Sequence, residues 1–145
     1  MFLHKNHKFH ANGICFAIPD NFFLHSLTEL EKATNIEIEA ADQSYTVTIG
    51  IDEGCDGTAQ ELQTQISEIG GMAPLCKITP VTVAGFAGHF LKYRSSREEY
   101  YEMRLALGGS VEFYLYITTQ SRRIDDVISS DAMVWMMQQI ERSEL

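Results

Sequence analysis

The segment IEIEAADQSYTVTIGI, residues 36–51, alternates apolar and polar side chains twice over. Ile36 and Ile38 point one way while Glu37 and Glu39 point the other. After a turn, Tyr45, Val47, Ile49 and Ile51 share one face again. A period of two belongs to a strand with one face buried and one wet. Ala41-Asp42-Gln43-Ser44 between the two runs has turn composition. The segment therefore predicts an antiparallel hairpin, and with it a protein organised around a sheet.

Upstream, KFHANGICFAI (residues 8–18) places Asn12-Gly13 between apolar runs, a strong hairpin signal. Ile14, Phe16 and Ile18 share one face of its second arm, and Pro19-Asp20-Asn21 breaks the pattern. FFLHSLTELEKATN (residues 22–35) has poor periodicity and reads mostly as loop.

Downstream comes IDEGCDGTAQEL (residues 51–62), with four acids, a thiol and two glycines. As a calcium loop it fails twice: counted from Asp52, Gly54 stands where a ligand oxygen is needed and Gln63 where the bidentate Glu belongs. As architecture it makes sense. Thr58 and Glu61 form a capping box, and Ala59, Leu62, Ile66 and Ile69 recur at helical spacing. Gly70-Gly71 ends that predicted helix. Cys55 sits near its N-terminus, which would lower a thiol pKa, among carboxylates, which would raise it. Cys55 is thus the candidate reactive thiol.

Four strand-like segments follow: KITPVTVAG, FAGHFLKYRSS, YYEMRLAL and VEFYLYITT. Turns at Arg97-Glu98-Glu99 and Gly108-Gly109-Ser110 join the last three into a meander. Pro80 assigns its strand to an edge or an interruption. Ser129-Ser130-Asp131 then caps a helix through AMVWMMQQIER, with Met133, Met136, Met137 and Ile140 as its buried stripe and Trp135 near the edge.

Read by alternation, one face of the meander carries Ala87, Leu91, Tyr93, Met103, Leu105, Val111, Phe113, Leu115 and Ile117, the expected core. The other carries Phe90, Lys92, Arg94, Tyr100, Glu102, Arg104, Glu112, Tyr114 and Tyr116. Aromatics beside arginines are the composition of interfaces. Arg94, Arg104, Tyr114 and Tyr116 are accordingly the candidate binding residues.

Other clusters read as structure. His4, His7 and His10 would share a helix face, but a strand puts residues three apart on opposite sides. Arg122-Arg123 and Asp125-Asp126 form a self-compensating charge run. His89 and Cys76 lie in no recognisable nucleophile context, and no phosphate loop or zinc motif is present. The three cysteines form no CxxC pair, so neither a disulfide framework nor a metal site is expected, and no cofactor.

The formal charge is −9, with 45% apolar and 21% charged residues. That balance argues against nucleic acid and against anionic membranes as partners, and is compatible with plain solubility and with a basic protein partner. No apolar run approaches a membrane span or a secretory signal. The expectation is a single domain, residues 1–145, in the cytoplasm, unless a leader has been removed.

The order of elements, with AIPDNFF after the first strands and VAGFAGHFLKYRS entering the meander, resembles the PsbP-like superfamily across residues 9–142. That superfamily includes the extrinsic photosystem II subunit, a Ran-binding nuclear-transport factor and many small bacterial proteins. The resemblance implies an α+β fold: an antiparallel sheet of about six to seven strands flanked by helices on both faces. It implies no catalytic residues. The expected function is a non-enzymatic protein-binding or assembly module. The alternative is a small-molecule carrier or enzyme with a pocket between sheet and C-terminal helix, lined by Trp135, Met136 and aromatics.

Overall fold

The computed structural model describes residues 1–30, 33–54, 64 and 71–145. It contains β1 (Leu3–Lys5), β2 (Lys8–Ala11), β3 (Ile14–Phe16), β4 (Phe23–Glu29), β5 (Ala33–Glu39), β6 (Thr46–Glu53), β7 (Ala73–Pro74), β8 (Thr79–Val83), β9 (Phe86–Arg94), β10 (Glu99–Gly108), β11 (Val111–Thr119) and β12 (Glu141–Arg142). Two helices, α1 (Ile124–Ile128) and α2 (Asp131–Gln138), lie between β11 and β12.

The large sheet has eight strands in the order β4-β5-β6-β11-β10-β9-β7, with β8 also pairing β9. Every pairing in it is antiparallel. The predicted hairpin is its centre of gravity: Ile36 pairs with Ile49 and Ile38 with Val47, all four fully buried. Val47 and Ile49 in turn pair with Ile117 and Leu115, and these with Tyr101 and Met103. This row of side chains is the core face.

A second sheet, β1-β2-β3-β12, covers that face. Phe16 of β3 meets Phe113 at 6.0 Å between ring centroids, and Phe2 and Phe9 pack behind Phe16. The Asn12-Gly13 turn is as predicted, with both residues at positive φ. The two helices sit on the same side. Ile124, Val127, Met133 and Met136 enter the shared core, Glu99 accepts a hydrogen bond from Ile124 N at 2.9 Å, and Lys92 pairs with Asp125 at 2.7 Å.

The expected sandwich with helices on both faces is therefore corrected. The protein is mostly β, with two antiparallel sheets of eight and four strands and, among the described residues, only two short helices. Two local readings change with it. Residues 23–29 are an edge strand, β4, rather than loop. The C-terminal helix stops at Gln138, and Glu141 and Arg142 pair with Cys15 and Ile14 as β12. Ser130 caps α2 as expected, accepting a bond from Met133 N at 3.4 Å. The capping box at Thr58 and Glu61 lies outside the described residues, as does the helix predicted through Ile69 except for Thr64, which is helical.

Candidate functional site

The four candidate binding residues do not share one face. Arg104 pairs directly with Tyr114, and its neighbour Glu102 with Tyr116, so three of them stand together. Arg94 pairs with Glu99 and therefore belongs to the core-facing side. The partition of β9 is inverted relative to the alternation reading. Leu91 and Tyr93 lie beside Glu102 and Tyr100, away from the core, while Phe90 and Lys92 lie beside Met103 and Tyr101. Cys55 lies outside the described residues.

On the outward face, Arg104 is only 9% exposed and Glu112 is completely buried. Arg104 Nη1 donates to Glu112 Oε1, and Arg104 Nε donates to Glu102 Oε2 at 3.1 Å. The guanidinium carbon also lies 5.9 Å from the centre of the Tyr114 ring. A side chain on Gly50 would meet that ring at 2.5 Å, so the bare backbone of β6 is what lets Tyr114 lie flat. Tyr93, Tyr100 and Tyr116 form a stacked ladder, with centroids 4.8 and 5.8 Å apart. Tyr93 and Tyr100 are buried, and Tyr116 half-buried. This face is packed, and its arginine is engaged by carboxylates.

Its phenols are shifted accordingly. Burial pushes Tyr114 up to about 12, helped by the Asp52 carboxylate, while a hydrogen bond with Asn35 opposes the rise. Burial likewise raises Tyr116 to about 12, although the hydrogen bond it shares with Tyr93 opposes this. Both values lie above the unfolded value of about 10. The unfolded chain thus ionises first, and the stability these groups contribute is whole below about pH 10 and lost as pH rises toward 12. Urea unfolding midpoints are expected to fall across that window. Tyr114→Phe and Tyr116→Phe should each shallow the fall; an unchanged slope in both would show that other groups govern it.

The accessible charge is elsewhere. In an antiparallel meander, the end of β9, the start of β10 and the end of β11 meet at one end of the sheet. There a cleft of about 510 Å³ is lined by Arg94, Ser95, Ser96, Arg97, Glu98, Glu99, Thr119, Gln120 and Arg122, with Gly71 and Ala73 at its border. Three of the chain's six arginines line it, in a protein of net charge −9. The acids at the rim are occupied. Glu99 holds Ile124 N, and Glu98 accepts from Gln120 Nε2 at 2.9 Å. Arg122 donates to Asp126 O at 3.3 Å and lies 5.8 Å from the Tyr45 ring centre. Arg94 and Arg97 are exposed and form no ion pair among the described residues. Such guanidinium forks match carboxylate and phosphate oxygens.

Trp135 and Met136 separate in the structure. Met136 is buried with Met133 in the core, filling the space between helix and sheet. Trp135 is 40% exposed on the outer side of α2, bordering a shallow cleft of about 530 Å³ with Asn6, His7, Lys8 and Asp20. The three histidines of the N-terminal run diverge. His4 stacks on Phe9, His7 is exposed in the β1–β2 turn, and His10 shares a 2.7 Å hydrogen bond with Ser143.

No family model matches the chain, and no curated protein matches it. Solved structures do. One is LpqN, involved in cell envelope biogenesis of Mycobacterium tuberculosis, with a TM-score of 0.58 at 16% identity over 97% of this chain and 88% of that one. Another, from Bacteroides thetaiotaomicron VPI-5482, has a TM-score of 0.46 at 9% identity over 90% of this chain and 45% of the other. The likeness to LpqN is one of fold. No helix among the described residues is long and apolar enough to cross a membrane.

Proposed function

We propose that the protein is a non-enzymatic binding module that takes an acidic segment of a partner protein into the arginine cleft. The carrying observation is the pair Arg94 and Arg97, exposed in a cleft whose carboxylates are already hydrogen-bonded. Charged side chains near a surface steer a partner and set its orientation, and here the sign is opposite to that of the chain as a whole. The PsbP-like kinship belongs to the same proposal, since the characterised members of that superfamily act by binding and assembly.

A labelled glutamate-rich peptide should bind the wild type with an affinity that falls as salt rises. Arg94→Ala/Arg97→Ala should weaken it about tenfold or more, the scale of two charged hydrogen bonds. Equal binding by wild type and variant rejects the cleft. The volume of about 510 Å³ favours a second reading, a carrier of a small anion. Citrate or inorganic phosphate binding more tightly than the peptide would select it. A cytoplasmic site of action is part of the first reading. Its rival is the cell envelope, suggested by LpqN, and cell fractionation distinguishes them.

A further inference from the structure

The two edges of the large sheet are built differently. On one side β9 is covered by β7, two residues long and ending in Pro74, and by β8, which carries Pro80. Short strands and prolines are the usual devices that stop an edge from recruiting another chain. On the other side stands β4, seven residues long with neither proline nor lysine. What blunts it is a bulge at His25, between the Leu24–Ile38 and Ser26–Glu37 pairs, and the charge of Glu29 at its end. Phe23, Leu24 and Leu27 on this strand, and Leu30 just beyond it, are 57%, 63%, 51% and 67% exposed. Four large apolar side chains thus gather on one edge that is unpaired among the described residues.

We propose that β4 pairs antiparallel with β4 of a second copy of this chain, joining two eight-stranded sheets into one. The strand is self-complementary. With the two-fold axis between His25 and Ser26, Leu24 of each copy faces Leu27 of the other and Phe23 faces Thr28. Leu24 and Leu27 both lie on the core side, through their pairs Ile38 and Ile36, so the facing leucines meet on one side of the joined sheet. The bulge falls at the axis and displaces both copies equally. Charge favours the same contact. Within 23–29 the only carboxylate is Glu29, in a chain of net charge −9, so two copies meet here with little repulsion. Direct pairing of one patch with itself is the geometry of a closed two-fold dimer. The inference is independent of the arginine cleft, which lies toward the opposite edge.

Light scattering on the intact chain at micromolar concentration should give twice the 16.4 kDa monomer mass. Leu24→Lys/Leu27→Lys should give the monomer mass with an unchanged far-ultraviolet circular dichroism spectrum, because both side chains are exposed. Cysteine substitution reads the register. A mixture of Leu24→Cys and Leu27→Cys chains should cross-link on oxidation well above either variant alone, since facing residues in an antiparallel pair lie within disulfide reach. The native cysteines are common to all three samples. A monomeric wild type, a dimer that survives the lysine pair, or no excess cross-linking in the mixture each overturns the proposal.

Discussion

Gly88→Ala is expected to destabilise the protein by about 3 kcal/mol, an overpacking cost at its upper range. Gly88 is buried in β9, paired with Leu105. A methyl group there would stand 1.9 Å from Arg104 O, 2.8 Å from Arg104 C and 2.9 Å from Leu105 Cα. All three obstacles are backbone, so no rotamer change can relieve the clash. Either β9 must move off β10, breaking a seven-pair register, or β10 must distort beneath Met103 and Leu105, both fully buried. The effect should also be local. Val81 of β8 pairs with Gly88, so amide exchange in β8 should accelerate before the rest of the sheet. Urea denaturation gives the global number. A loss under about 1 kcal/mol would mean that the two strands approach less closely than described.

The second large effect is expected at Arg104. Replacing it with Met removes the cation that faces the completely buried Glu112 and also engages Glu102. Breaking one side of a buried pair costs about 3–5 kcal/mol, because the remaining charge stays desolvated. Replacing both sides with apolar residues of similar volume is often nearly neutral. Arg104→Met/Glu112→Leu should therefore be more stable than Arg104→Met alone, although it carries one more substitution. A double-mutant cycle by urea denaturation measures this directly. Simple additivity of the two losses would show that the pair does not act as a unit.

How much of this was legible beforehand depends on which physical rule each element obeys. The hairpin of β5 and β6 and the three meander strands alternate strongly because one face is buried, and alternation is visible in one dimension. β4 escaped because it is exposed on both faces at its edge, so burial imposes no period on it. The second sheet is only half legible: Asn12-Gly13 announces its β2–β3 hairpin, but β1 and β12 go unread. Its closing strand, β12, is two residues long and pairs across the chain with β3, and such a contact leaves no local trace.

The candidate site shows the limit of alternation most clearly. Alternation groups Arg94 with Arg104 because both numbers are even. The β9–β10 connection between Arg94 and Glu99 is four residues, Ser95 to Glu98, and that length sets even positions of β9 opposite odd positions of β10. A one-residue difference in register exchanges the two faces of a strand. Without glycine or proline among those four residues, the connection length cannot be read. The cleft itself was closer to the surface of the sequence. YRSSREE and TTQSRR both put arginine and serine at strand ends, and a meander brings those two ends together.

The Glu141–Cys15 and Arg142–Ile14 pairings have a kinetic consequence. Ser143 N also reaches Gly13 O at 2.8 Å, Lys8 pairs with Glu141, and Arg142 lies 4.3 Å from the Phe86 ring centre while donating to Gly85 O. The small sheet is therefore completed by residues synthesised more than a hundred positions after its first three strands. During translation β1–β3 must wait, with Ile14 and Phe16 lacking their final cover, until the closing strand leaves the ribosome. Closing so long a loop is entropically slow. Until then the N-terminal hairpins stand as an incomplete sheet, without the strand that closes it.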